Sequence, residues 1–373
     1  MGIAIMKWLL ICVPAALALN FYQANSLLVF FVSLTAIVPL VELMGDTTEE
    51  LASRFGSTIG GLLNSTLSNA PELIIGIVAL SHGLASVVKA SLTGSIIANL
   101  LLGLGCALLI GGLKYGPQKF EERRLRSNAS MLQLCAFCLI VPAVFSIGTP
   151  EGTRGLSTEI SVVLLVVYLI NVLVTLLGGR NEALTPEPKI DKKTGHTATS
   201  QPHPVHPKLW MLLGTLAMAG GMLALISDAL CESLAPTAKA LGLSDVFSGV
   251  MILGGVGGVG EVLSAIRFAR AGKQELVLSA TVGSTIQMVL MVAPILVFVG
   301  MFMGVEMSLT FTNFEVVAIV LAVVVARELI VDGNVNWMEG VLLLATYIIL
   351  GFGFYHLPDV RPSTAVEQTG LAP

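Results

Sequence analysis

Apolar runs of membrane-spanning length recur along nearly the whole chain and leave little choice of fold. Eleven can be marked, at roughly 8–22, 26–44, 57–81, 84–113, 129–147, 158–178, 209–231, 244–270, 273–303, 312–331 and 337–355. A bilayer core asks for about 20 mostly apolar residues per helix. Composition agrees: 55% of the 373 residues are hydrophobic and only 12% charged, the latter about half the usual share for a soluble domain. The expected fold is therefore an all-α polytopic membrane protein of about 11 transmembrane helices. The first run is short for a span, and the third, fourth, eighth and ninth are expected to be broken at Gly, Pro, Asn or Ser.

Two of these stretches repeat one another. Gly60–Gly105 and Gly249–Gly300 superimpose at an offset of 189 positions, which lays Glu72, Gly83, Gly94 and Ser95 on Glu261, Gly272, Gly283 and Ser284. A carboxylate inside an apolar helix is costly and is by default a functional site. Two in one repeated frame point to a transporter, with the site near the bilayer midplane between the halves.

The charges outside the runs predict the orientation. With the N-terminus inside, 16 of the 20 Lys and Arg residues fall on the inner side, and Lys89, Arg154, Lys239 and Arg361 fall outside. That bias favours a cytoplasmic N-terminus and an external C-terminus. An odd number of helices per half makes the halves insert in opposite directions. The expected plan is an extra N-terminal helix (1–22), a first five-helix repeat (26–178), a cytoplasmic linker (179–208), a second five-helix repeat (209–355) and a tail (356–373). The linker, rich in Pro, Lys, His and Thr, reads as a flexible tether. Its His196, His203 and His206 are spaced irregularly and read as solvated. The first run has signal-like features (Lys7, then Ala16-Leu17-Ala18), but the next span follows almost at once.

The chemistry concentrates at the two glutamates. Glu72 follows Ser68-Asn69-Ala70-Pro71, and Pro71 together with Gly60-Gly61 is expected to break the helix and free backbone carbonyls. Around Glu261 the same role falls to Gly254, Gly255, Gly257, Gly258 and Gly260. Ser95 and Asn99 lie four apart on one helix face, and Ser284 and Gln287 three apart on another. Carboxylates, amides, hydroxyls and carbonyls are hard oxygen ligands that suit calcium. They suit sodium too, but two carboxylates favour a divalent ion, and no Cys or His joins to favour a soft metal. Two adjacent carboxylates in an apolar interior need either a cation or protons to neutralise them. A site that alternates between those loads is an antiport site for Ca2+ and H+.

The remaining features have blander readings. Cys135-x-x-Cys138 lies on one helix face in an apolar run and reads as packing. Lys89 is expected to snorkel from its span, and Glu42 to sit within reach of water. Asp228 and Glu232 read as a solvated helix end, and Arg123, Arg124 and Arg126 as a topology anchor rather than a nucleic-acid patch. Gly255-x-Gly257-x-x-Gly260 matches a dinucleotide fingerprint but sits inside an apolar span without the strand context. No ATPase or hydrolase motif is present, so no enzyme activity and no cofactor are expected.

At the same residues the chain resembles the calcium/proton antiporters of the cation-exchanger type, in the calcium/cation antiporter superfamily. Thr48-Glu49-Glu50-Leu51-Ala52, Gly60-Gly61-Leu62-Leu63-Asn64 and Asn69-Ala70-Pro71-Glu72-Leu73-Ile74 carry the likeness in the first half. Val88-Lys89-Ala90-Ser91-Leu92, with Gly94-Ser95-Ile96 and Asn99-Leu100-Leu101, extends it. Gly242-Leu243-Ser244 before Phe247 and Gly283-Ser284-Thr285-Ile286-Gln287 carry it in the second half. The second-half motif departs: where the family usually has Asn and His, this chain has Gly258 and Val262.

The resemblance implies export of cytosolic Ca2+ against H+ entry, with Glu72 and Glu261 shared between the two ions. It also implies that Asn69, Ser95, Asn99, Gly258, Ser284 and Gln287 line the site. A bacterial inner membrane is the expected location. The alternative on the same fold is sodium/calcium exchange. A channel would need a continuous polar pore, and the broken helices and inverted halves argue against one.

Overall fold

The computed structural model describes residues 8–120, 122–145, 153–182, 208–331 and 333–357. Most of the expected linker (183–207) and tail (358–373) lies outside the described residues. In chain order the helices are α1 (Cys12–Phe21), α2 (Ser26–Ser53), α3 (Gly56–Ser68), α4 (Ala70–Ser81), α5 (Ala85–Tyr115), α6 (Glu122–Phe145) and α7 (Thr153–Glu182). They continue as α8 (Leu209–Leu241), α9 (Asp245–Gly257), α10 (Val259–Arg270), α11 (Gln274–Met303), α12 (Asn313–Ile330) and α13 (Trp337–Tyr355). Two short strands, β1 (Gln118–Lys119) and β2 (Asn334–Val335), pair antiparallel with Gln118 opposite Val335.

This is an all-helical membrane protein. Among the described residues eight helical segments are long and apolar enough to cross a membrane, or nine with the bent pair α9–α10 as one span. The other two of the eleven expected runs are α1, only 10 residues long, and α12, which carries Glu315, Arg327 and Glu328. The outward face of α7 is apolar at Val162, Val163, Val166, Leu169, Ile170 and Leu173, all exposed in the isolated chain. Such a belt is what a lipid-facing helix presents.

Two of the expected breaks are absent. The fourth and ninth runs are continuous helices of 31 and 30 residues. Their small and polar residues are absorbed instead by π-helical turns at Ala98–Gly103 in α5, and at Ser279–Gly283 and Met288–Val292 in α11. Such a turn keeps the backbone hydrogen-bonded while it shifts the side-chain register, and it is common at functional sites. Gly60-Gly61 likewise lies within the unbroken α3.

The other two breaks are real, and they repeat at the offset seen in the sequence. Asn69 separates α3 from α4 with φ −89° and ψ 8°, and Gly258 separates α9 from α10 with φ −78° and ψ 7°. The second helices of both pairs also stop alike. Gly83 and Gly272 both take φ of +71°, a conformation that favours glycine. The following amides, Leu84 N–H to Ala79 C=O at 3.0 Å and Lys273 N–H to Phe268 C=O at 2.9 Å, close the same cap.

Long helices far apart in the sequence pack directly on one another. α2 lies along α8, α5 packs on α9, and α13 packs on α5. The α5–α9 contact is backbone to backbone. A Cβ on Gly94 would lie 1.9 Å from the Val250 carbonyl oxygen, and one on Gly254 would lie 2.5 Å from Gly94 Cα. Close approach through small residues is how membrane helices gain packing where lipid offers no hydrophobic gradient.

Polar ties at the two ends of the bundle also join different stretches. At one end Arg267 reaches Glu42 at 3.2 Å and Asp46 at 2.7 Å. At the other His82 meets Asp228 at 2.7 Å and Asn20 donates to Glu232 at 3.2 Å. Asp228 and Glu232 are in solvent contact, as a solvated helix end requires, and each also has a side-chain partner. Lys89 is also held, donating to the Thr310 carbonyl at 2.9 Å rather than reaching out to water. Cys135 is buried against the Ile286 carbonyl, as a packing role requires.

Replacing Gly94 by Ala should force α9 away from α5 and destabilise the protein by about 1–3 kcal/mol, the usual cost of overpacking. Gly221→Ala on α8, where an added Cβ meets nothing within 4 Å, should be neutral or mildly stabilising. Thermal unfolding of both variants in the same detergent provides the comparison.

Candidate ion-binding site

Glu72 and Glu261 owe their placement to the two helix breaks. Asn69 ends α3, and α4 then starts with Ala70 and Pro71 in its first turn. A proline is at home there, because the first amides of a helix have no intrahelical acceptor. The break therefore falls before Pro71, at Asn69, and not at the proline. Glu72 occupies the third position of α4, and Glu261 the third position of α10 after Gly258, Val259 and Gly260. Each carboxylate thus sits at the positive end of its own helix dipole, which favours negative charge there.

The two carboxyl groups are buried close enough to one another to interact. Glu72 is 6% exposed and Glu261 5%. Both side-chain oxygens of Glu72, and Oε2 of Glu261, are buried without a hydrogen-bond partner. Burying an ionised carboxylate unpaired is far more costly than any one hydrogen bond can offset. The arrangement therefore calls for a cation or for protons at this point. Gly257 lies close enough that an added Cβ would come within 3.6 Å of Glu72 Cγ and 3.1 Å of Ser95 Oγ.

α5 and α11 supply the rest of the wall. Ser284 Oγ donates to Asn69 Oδ1 at 3.0 Å, and Asn69 Nδ2 donates to Gln287 Oε1 at 3.1 Å. Asn69 therefore joins the first helix break to α11 with both ends of its amide. On the opposite wall Ser95 Oγ donates to the Gly254 carbonyl at 3.1 Å. Asn99, fully buried, lies against Gly258 with neither side-chain atom partnered.

All eight predicted site residues thus gather in one region. They differ in state: Asn69, Ser284 and Gln287 bond one another and Ser95 bonds backbone, while Glu72, Asn99 and one oxygen of Glu261 are left open. Among the described residues no three His, Cys, Asp or Glu side chains cluster as a resident metal centre would. The oxygen set fits a cargo cation held by two carboxylates and neutral ligands.

A vestibule lined by Glu261, Ser284 and Gln287 at one side also touches Asn64, Glu42 and Arg267. Sequence reasoning missed the cross-chain tie of Arg267 to Glu42 and Asp46 that flanks this vestibule. Its only sequence signal is charge near the ends of two apolar runs.

Known proteins resemble this chain over most of its length. The family model described as sodium/calcium exchanger protein matches residues 25–177 and 211–355. The Ca(2+)/H(+) antiporter of Aphanothece halophytica is 39% identical over 361 residues, covering 94% of this chain and 96% of that protein. The Ca(2+)/H(+) antiporter ChaA of Bacillus subtilis is 36% identical, covering 92% and 97%. The solved structure of native YfkE superimposes with a TM-score of 0.80 at 33% identity, covering 95% of this chain and all of that one.

Asn69→Ala should leave the Ser284 hydroxyl and the Gln287 amide without their shared partner. Each buried group left so costs about 1–3 kcal/mol, so a lowered midpoint of thermal unfolding is expected. Asn69→Asp keeps an oxygen acceptor for Ser284 but adds a third buried carboxylate and removes the donor to Gln287, so it should recover none of the loss in the same melt.

Proposed function

This chain belongs to the sodium/calcium exchanger protein family, and from that premise we propose that it exchanges Ca2+ for H+ across a membrane by alternating access. The observation that carries the reading is the pair Glu72 and Glu261, adjoining, buried and without a cationic partner. The curated relatives matched over nearly their whole length are named Ca(2+)/H(+) antiporters, which favours H+ over Na+ as the coupling ion.

The cycle follows from electrostatics. With Ca2+ bound, both carboxylates are ionised and the ion neutralises them. With Ca2+ gone, protons take its place, because two bare carboxylates packed together in an apolar interior repel. Only those two loads leave the site neutral enough to move between faces. Two protons per Ca2+ is the least number that meets this condition. Gln287, Ser284, Ser95, Asn69, Asn99 and the backbone at Gly258 furnish neutral oxygens beside the carboxylates.

The repeated breaks at Asn69 and Gly258 support two inverted-topology repeats of five helices, 26–178 and 209–355, behind an extra N-terminal helix. We place the vestibule mouth at Arg267 in the cytoplasm, on the side where Lys and Arg are concentrated. The N-terminus is then cytoplasmic and the C-terminus external, in a bacterial inner membrane. In this orientation the site is loaded from the cytoplasm and Ca2+ is exported while H+ enters.

The test is Ca2+ uptake into proteoliposomes under an imposed pH gradient, set against an imposed Na+ gradient. Proton-driven uptake without Na+ is expected. Glu72→Gln and Glu261→Gln, which keep the shape and lose the charge, should each reduce it to background. Undiminished exchange in either variant, or uptake that requires Na+, would overturn the assignment.

A further inference from the structure

The ties at the two ends of the bundle follow one scheme. Arg267 on α10, the helix that carries Glu261, meets Glu42 and Asp46 on α2. His82 at the end of α4, the helix that carries Glu72, meets Asp228 on α8 at 2.7 Å. In each, a basic group on the glutamate helix of one half holds an acidic group on the long helix that opens the other half. α2 lies along α8, and α4 packs against α8 as well.

The seams beneath the two ties differ. At the Arg267 end the seam between α2 and α10 borders the vestibule, with Val41, Gly45, Asn64 and Ser264 in its wall. The 189-residue offset carries those four onto Leu230, Leu234, Leu253 and Ile75. All four counterparts are buried in one apolar cluster. The seam between α8 and α4 is thus the counterpart of the vestibule, packed shut.

We propose that the His82–Asp228 pair is the latch of this packed seam. It holds α4 against α8 and so favours the state in which the glutamates are reached from the Arg267 side. His82 and Asp228 are positioning residues for the exchange, and neither touches the cargo. This rests on the reading of the protein as an alternating-access exchanger, and it adds where the second path runs and what keeps it shut.

The construction suits a barrier that opens in every cycle. Contacts between apolar side chains are non-directional and reform readily. His82 is the C-terminal cap of α4, the helix end that favours a positive group. Its side chain is 27% exposed and that of Asp228 50%. A pair in such contact with water contributes little, enough to shift two states several-fold and too little to freeze one of them.

The test uses the full chain in right-side-out and everted membrane vesicles, which present opposite faces to added Ca2+. Apparent affinity at a face falls with the fraction of molecules competent to bind there. Breaking the latch raises that fraction at the external face and lowers it at the cytoplasmic one. In His82→Ala and in Asp228→Ala the KM for Ca2+ should therefore fall several-fold at the external face and rise at the cytoplasmic face. The double variant should match the single ones, because either change already breaks the pair. Damage to the fold would not move the two faces in opposite directions. KM values that stay unchanged, or that move the same way at both faces, would overturn the proposal.

A distance measurement decides the matter without transport. Spin labels at Ser81 and Ala235, both exposed near the ends of α4 and α8, report the width of the seam in full-length protein with its five native cysteines replaced. His82→Ala and Asp228→Ala should each enlarge a population at longer distance. An unchanged distribution would overturn the latch. Wild-type protein without proton-driven Ca2+ uptake would overturn the functional reading, and the distances would still decide the latch.

Discussion

Two carboxylates packed against each other inside an apolar helical bundle are the constraint on which the rest of the structure depends. Neither finds a basic partner among the described residues: Arg267, which lines the same cavity as Glu261, is engaged by Glu42 and Asp46. The fold compensates in part with the backbone. Each glutamate stands in the first turn of a helix that begins inside the bundle, where the dipole and unpaired amides favour negative charge. A broken helix in a membrane is tolerable only where its freed groups meet protein or a polar cavity. Here the Gly254 carbonyl before the second break accepts from the Ser95 hydroxyl of α5.

Much of this was legible in the sequence because the signals were contradictions of local expectation. Glu72 stands out since nothing else in its run is charged, and Glu261 since the other charges of its run, Asp245, Arg267 and Arg270, lie near the ends; the 189-residue offset stands out since it carries both glutamates with Gly83 and Gly272. The structure adds that the offset holds in φ and ψ at the breaks and in the hydrogen bonds that end the second helices. Details set by tertiary packing were not legible. Pro71 invites a break at the proline, whereas the chain uses it as a first-turn residue and turns at Asn69. Gly and Ser in the fourth and ninth runs suggest interruptions, whereas π-helical turns absorb them and keep α5 and α11 whole. His82 with Asp228, and Arg267 with Glu42 and Asp46, are ties between residues more than a hundred positions apart. No local pattern encodes such pairs.

The same repeat that makes the halves alike also exposes where they differ, and that difference is what transport by alternating access requires. Gly94 is pressed against the backbone of α9, yet at its counterpart Gly283 an added Cβ meets nothing nearer than 3.8 Å. α5 thus meets the opposite broken pair backbone to backbone, whereas α11 meets the other pair through the side chains of Ser284 and Gln287 at Asn69. On the proposed alternating-access cycle, exchanging those two packings would change the face from which the glutamates are reached. Occupation of the site can bias that choice only through a difference in interaction free energy between the two packings. The strongest such difference available here is charge: two bare carboxylates resist closure around them, and two neutralised ones permit it.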